Sequence, residues 1–209
     1  MSAGRDILGE LLAGNQRFAY GWAVMHSPEE RRRALAGGQS PRAIVLGCSD
    51  SRVPAEIIFD QGLGELFVIR VAGNIVAPSQ IASVEFAVER FHVPLVVILG
   101  HTNCGAIRAT LDECLAEDGR CGALDSLERV RHSIVDRIRP AVEPLLLATP
   151  RPDRATLERQ ACRANVRASV LAVRGGSRLL ESLADAGRLL IVGAEYSLET
   201  GLVEVFDGL

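Results

Sequence analysis

Three short aliphatic runs, Ala43-Ile44-Val45-Leu46, Leu66-Phe67-Val68-Ile69 and Leu95-Val96-Val97-Ile98-Leu99, stand out along the first half of the chain. They are apolar at every position, so as strands they have no solvent face and predict a parallel sheet covered on both sides. Between the last two, Ser79 to Phe91 carries Ile81, Val84, Phe86, Ala87 and Val88 on one broad helical face. Helical spacing returns in 106–117, in 124–147 with interruptions at Pro140 and Pro144, in 155–173 and in 179–186. Two further strand patterns, 189–193 and 202–206, flank Ser197-Leu198-Glu199-Thr200-Gly201, a turn that sets the last strand antiparallel to its neighbour. The expected class is therefore α/β.

The beginning of the chain differs. Ile7, Leu8, Leu11, Leu12 and Phe18 fall at helical intervals within 6–20, and Ser27-Pro28-Glu29-Glu30 starts a second short helix. Helices this short are marginal alone, so residues 1–35 are expected to form an arm laid on something else.

The 209 residues, 48% apolar and 23% charged, suit one sizeable core, and a single domain over 1–209 is expected. A net charge of -3, with arginines dispersed among acids, gives no stripe for nucleic acid. No segment reaches the roughly 20 apolar residues of a membrane span. Arg5, Asp6, Glu10 and Arg17 interrupt the start, so no secretory leader is read and a cytoplasmic location is expected. Five cysteines without dense spacing fit metal ligation and core packing better than a disulfide framework. Cys114, Cys121 and Cys162 have no partner at ligand spacing and read as small buried hydrophobes.

Two segments carry chemistry. Gly47-Cys48-Ser49-Asp50-Ser51-Arg52 and Gly100-His101-Thr102-Asn103-Cys104-Gly105 each follow an aliphatic run, and ligands in open α/β sheets collect beyond such strand ends. If the strands are neighbours, Cys48, His101 and Cys104 converge. Two sulfurs and a nitrogen suit zinc better than magnesium or calcium, and three donors leave a fourth position for water or for Asp50. Three protein ligands imply catalysis. Cys104 would open the following helix, where unpaired N–H groups favour thiolate. Alternate spacing puts Asp50 and Arg52 on one side of an extended segment, where a guanidinium can fix the carboxylate. Alone, each segment is commonplace, as a capping aspartate with its arginine or a chance His-x-x-Cys. Together they are much stronger.

The two segments closely resemble the paired signatures of the β-class carbonic anhydrases. Gly14-Asn15-Gln16-Arg17-Phe18, Phe67-Val68-Ile69-Arg70-Val71-Ala72-Gly73-Asn74 and Gly193-Ala194-Glu195-Tyr196-Ser197-Leu198-Glu199-Thr200-Gly201 are similar to further family motifs, so the resemblance spans almost the whole chain. It implies a parallel four-stranded sheet with an antiparallel fifth strand, helices on both faces, and an N-terminal arm embracing a second subunit in a homodimer or homotetramer. It implies one zinc per subunit on Cys48, His101 and Cys104, with carbon dioxide and bicarbonate as substrate and product. Zinc acidifies bound water toward pKa ~7, and the hydroxide attacks carbon dioxide while Asp50, held by Arg52, orients it.

By the same resemblance Gln39 donates to bound bicarbonate, and Phe67, Val71 and Phe86 wall the pocket, Phe86 from the partner subunit. The Gly105 N–H is a further donor to an oxyanion. A regulatory bicarbonate site known in some members uses a tryptophan, an arginine and a tyrosine. Here Arg70 and Tyr196 stand at two of those positions but Val45 at the third, so that effector site is not expected. Asp50 is also expected as a fourth metal ligand only in a closed state, one expected to grow as pH falls. His132 is a weak candidate proton shuttle, and His26 and His92 are weaker.

Three rival functions remain: a hydrolase of carbonyl sulfide or carbon disulfide on the same scaffold, a noncatalytic zinc module with Asp50 always bound, and a nucleotide-binding domain. The last is remote, since Val71-Ala72-Gly73-Asn74 lacks the glycines and lysine of a phosphate loop.

Overall fold

The computed structural model describes residues 3–24, 28–116 and 126–209, with backbone alone at 28 and 126–133. Five strands, β1 (Ala43–Gly47), β2 (Leu66–Arg70), β3 (Leu95–His101), β4 (Leu190–Tyr196) and β5 (Val203–Asp207), form one sheet in the order β2-β1-β3-β4-β5. The first four are parallel and β5 runs antiparallel to β4. The unbroken aliphatic runs explain this arrangement. Every residue of β1 and of β3 is buried, because both strands are central and covered on both faces. The run in β2 is only partly buried, since that strand is an edge.

Side-chain alternation divides the core into two layers. Val45, Val97, Leu99 and Val192 face one way and meet α1 (Ala3–Ala19) and α3 (Ala55–Ile58). Ile44, Leu46, Val96 and Ile98 face the other way and meet α4 (Pro78–Phe91), α7 (Arg154–Gly175) and α8 (Arg178–Asp185). A third cluster, in which Ile107 and Leu111 of α5 (Gly105–Ala116) pack on Ile138 and Val142 of α6 (Ser126–Leu146), encloses Cys48 and Cys104.

The prolines of α6 do not interrupt it, contrary to the sequence expectation. Pro140 and Pro144 lie inside one continuous helix and are both exposed. Four residues apart, they share a face, so the carbonyls they leave without donors open to solvent while Val135, Ile138 and Val142 hold the opposite face in the core.

Helix α1 lies on this chain's own sheet. Leu8 and Leu11 are buried, and the Asn15 amide donates to the carbonyls of Ile58 (3.2 Å) and Gly201 (2.8 Å) while its oxygen accepts from Val203 N–H at 2.8 Å. Arg17 adds an ion pair to the buried Asp60 at 2.6 Å. The segment after α1 leaves Tyr20 and Trp22 exposed, and α2 (Pro28–Ala34) is largely exposed. Among the described residues, no helix is long and apolar enough to cross a membrane.

Candidate metal centre

The register of the two central strands builds the site. Gly47 pairs with Leu99, so Cys48 leaves β1 beside the last residues of β3, where His101 stands. Strand β2 lies on one side of β1 and β3 on the other, which makes this the point where chain direction across the sheet reverses, the usual place for a site in an open α/β fold. A short loop then carries Cys104 to the start of α5. The ligating atoms of Cys48, His101 and Cys104 all lie within 4.8 Å of one another, and all three residues are buried.

The donors are prepared for a cation. His101 Nδ1 meets the Thr102 carbonyl at 2.9 Å, which leaves Nε2 as the lone-pair nitrogen. That Nε2 is buried and has no hydrogen-bond partner among the described residues, an arrangement that burial penalises unless a ligand completes it. The two sulfurs lie within 4.8 Å of each other, and each shifts the other's acidity. Cys48 is lowered to about 4, chiefly by its hydrogen bond with Cys104, with burial opposing and His101 and the N–H groups of Asp50 and Gly73 assisting. Cys104 is pushed up, first by that same bond and then by burial and the charge on Cys48. Cys48 and Cys104 would hold a divalent cation as thiolates. Two sulfurs and one imidazole fit zinc, with one corner left over.

Asp50 stands beside the imidazole. Its Oδ2 is 3.9 Å from His101 Nε2, and Arg52 grips both carboxylate oxygens, Nε to Oδ1 at 2.9 Å and Nη2 to Oδ2 at 2.7 Å. Hydrogen bonding from the Arg52 side chain, reinforced by its backbone N–H, holds the Asp50 carboxyl well below the usual carboxylate range. Arg52 also reaches the carbonyl of Asn103, whose side chain is held by Arg108 at 2.7 Å.

The other anticipated residues are distributed less tightly. Val71 packs against the cluster containing Cys48 and Cys104, and Gly105 is exposed at the first turn of α5 with open space around its Cα. Phe67 and Phe86 instead join Phe91 in a ring cluster between β2 and α4, with centroids 5.9–6.4 Å apart, and Phe86 is 54% exposed. Gln39 is exposed on the loop between α2 and β1. Val45 is fully buried, Tyr196 packs beside Phe18, and Arg70 is engaged by the carbonyls of Cys48 (3.1 Å) and Asp50 (2.6 Å). Cys162 is buried and Cys114 half-buried, whereas His26, Cys121 and the His132 side chain lie outside the described residues. His92 is an exposed C-cap of α4 in the left-handed region, φ 55°. A cavity of about 210 Å³ opens beside Cys104 between α5 and α7, lined by Arg108, Glu158, Arg159 and Glu199 among others. Neither Asp50 nor Arg52 lines it.

Sequence reasoning missed the support around the cysteines. Arg70 fixes the Cys48–Asp50 backbone, and Asn165 and Ser169 of α7 hold the tight turn at Ala72–Asn74. The available signal was two polar residues inside the apolar stripe Ala161, Val166, Val170 and Val173 of a helix.

A mainly parallel sheet with a buried Cys-His-Cys cluster at its strand ends defines an α/β protein with a candidate metal centre. The family model described as carbonic anhydrase matches residues 43–203, and the chain belongs to the β-class carbonic anhydrases. It is 39% identical to the carbonic anhydrase of Mycolicibacterium smegmatis, covering 92% of this chain and 88% of that one. It is 38% identical to carbonic anhydrase 2 of Mycobacterium tuberculosis, covering 94% and 90%. Among solved structures, the β-carbonic anhydrase CafA of Aspergillus fumigatus superposes with a TM-score of 0.71 at 28% identity, covering 97% of this chain and 91% of that one. A tetrameric β-carbonic anhydrase of Sordaria macrospora gives 0.68 at 27% identity, covering 96% and 97%.

Proposed function

We propose that this protein catalyses the reversible hydration of carbon dioxide to bicarbonate and a proton, using zinc held by Cys48, His101 and Cys104. The observation that carries the reading is the convergence of these three donors from two strand ends, with an ionised, arginine-held carboxylate 3.9 Å from the imidazole. When bound, zinc supplies a water-derived nucleophile near neutral pH by acidifying a water molecule.

The chain's own groups do the rest. Asp50 stays ionised and offers an oxygen beside the open corner, where it accepts a hydrogen bond and turns the nucleophile's lone pair toward the substrate carbon. Arg52 keeps Asp50 from swinging onto the metal, so the closed state with Asp50 as fourth ligand requires this bidentate pair to break. Val71 supplies an apolar wall suited to uncharged carbon dioxide. The Gly105 N–H, at the start of a helix, would meet negative charge developing on the product oxygens. Gln39, Phe67 and Phe86 complete the pocket in an assembled homodimer or homotetramer, a role supported by the exposure of Gln39 and Phe86 in the single chain. The same assembly uses residues 1–35 through the outer face of α1 and the exposed Tyr20 and Trp22. A cytoplasmic location suits cysteines that must stay reduced to ligate.

Stopped-flow hydration with a pH indicator tests the reading. Catalysis well above the buffer rate supports it. Turnover of carbonyl sulfide or carbon disulfide without carbon dioxide hydration would replace it by the hydrolase alternative.

A further inference from the structure

We propose that Asn165 and Ser169, on α7, are positioning residues of the metal centre, holding the Gly73–Asn74 turn so that the Gly73 N–H donates to the Cys48 sulfur. The inference rests on the metal reading above.

Cys48 receives two N–H···S bonds. One comes from Asp50 N, at 3.4 Å, within its own loop. The other comes from Gly73 N, at 3.3 Å, in the turn that follows β2. Backbone bonds on either side of Cys48, from Ser49 N–H to the Val71 carbonyl at 3.3 Å and from Val71 N–H to the Gly47 carbonyl at 3.1 Å, fix where the turn begins but not the two residues that complete it. That second donor depends on two consecutive residues in the left-handed region, Gly73 at φ 64° and Asn74 at φ 44°. Glycine enters that region freely and asparagine more readily than most residues, so the turn is accessible, and its contacts select it from the other conformations open to them. Those contacts come from α7 and a tight steric wall. The Asn165 amide donates to the Gly73 carbonyl at 2.8 Å, and the Ser169 hydroxyl donates to the Asn74 carbonyl at 3.1 Å. Asn165 and Ser169 are four residues apart on one helix face and almost fully buried, 2% and 4% exposed. A Cβ added at Gly73 would lie 2.8 Å from Ile138 Cδ1 and 3.0 Å from Ala106 Cβ, so the turn has little room to relax.

An N–H···S bond draws electron density from a thiolate and lowers its donor orbitals. It therefore moderates how strongly Cys48 donates to the metal and, through it, the acidity of anything bound at the open corner. Groups that orient ligands in this way typically change metal affinity 10–100-fold when removed. Asn165 and Ser169 act on Cys48 only through the turn and touch no reacting atom.

The test uses the cobalt(II)-substituted protein, whose sulfur-to-cobalt charge-transfer band reports thiolate donation directly. In Asn165→Ala the band is expected to move to lower energy, and zinc affinity, measured by competition with a chelating dye, is expected to change by roughly tenfold or more. Ser169→Ala, a milder loss, is expected to shift the band in the same direction by less, and it decides the question if Asn165→Ala does not fold. Asn15→Ala is the matched control. It removes an equally buried amide, 1% exposed, that pins carbonyls of Ile58 and Gly201 away from the metal, and it is expected to leave the band unmoved. An unmoved band in the α7 variants, or an equal shift in the control, overturns the proposal. No charge-transfer band in the unmodified protein overturns the metal reading itself.

Discussion

The Asp50 carboxylate stands between a guanidinium and an imidazole: Arg52 binds both its oxygens at 2.7–2.9 Å, while His101 Nε2 stands 3.9 Å from one of them. On the function proposed above, the guanidinium would decide whether the carboxylate serves an open metal position or fills it.

Replacing Asp50 by asparagine keeps the shape and removes the charge. Asp50→Asn is expected to retain one zinc per chain by elemental analysis while hydration falls by about 100-fold or more, the size of a lost proton acceptor. Full activity would reduce the pair to a structural contact.

Arg52→Ala frees the carboxylate. Hydration is expected to fall, and a zinc-edge spectrum is expected to show an added oxygen ligand from Asp50. A spectrum identical to that of the unmodified protein would argue against the restraining role of Arg52.

The pH dependence of the pair has a definite sign. Arg52 lowers the Asp50 carboxyl in the folded state below the ordinary value of about 3.9. Between those two values the unfolded chain binds more protons, so the stabilisation is fully present above about pH 4 and fades as pH falls through the folded value. The stability difference between metal-free wild type and Asp50→Asn, from urea midpoints, is expected to be constant from pH 8 to 5 and to shrink below about pH 4. A difference that already shrinks between pH 8 and 5 contradicts the assignment.

Much of this was legible in the chain. The runs at β1 and β3 announced buried parallel strands because their positions are apolar without alternation, and Cys48, His101 and Cys104 could be placed because strand ends fix where side chains gather. The unreadable parts depended on tertiary contact. Pro140 and Pro144 suggested breaks, but local propensity gave way to the packing of Ile138 and Val142. The short helix α3 and the Ala72–Asn74 turn have no period long enough to detect. Asn165 is an ordinary helix residue until β2 brings Gly73 to it, 92 positions away.

Helix α1 offers a matched pair of stability tests. At Gly14 an added Cβ would meet the Phe59 carbonyl oxygen at 2.0 Å, backbone that cannot swing aside, whereas at Gly9 nothing lies within 4 Å. Gly14→Ala is expected to destabilise by about 1–3 kcal/mol or more through overpacking. Gly9→Ala is expected to stabilise by roughly 0.5–1 kcal/mol through helix propensity. Chemical denaturation of both variants would show the contrast, and equal effects would mean that α1 does not dock as described.

Ligand variants separate metal binding from chemistry. Cys48→Ser and His101→Ala are each expected to lose most of the zinc and all measurable hydration, unlike Asp50→Asn. Zinc retained at one per chain in both would remove Cys48 and His101 from the ligand set.

The most direct test of the central claim is hydration by one preparation followed through metal removal and return. Stopped-flow rates are expected to fall to the uncatalysed level when a chelator strips the protein and to recover when one equivalent of zinc per chain is restored. A metal-free preparation that hydrates carbon dioxide as fast as the loaded one would contradict the account.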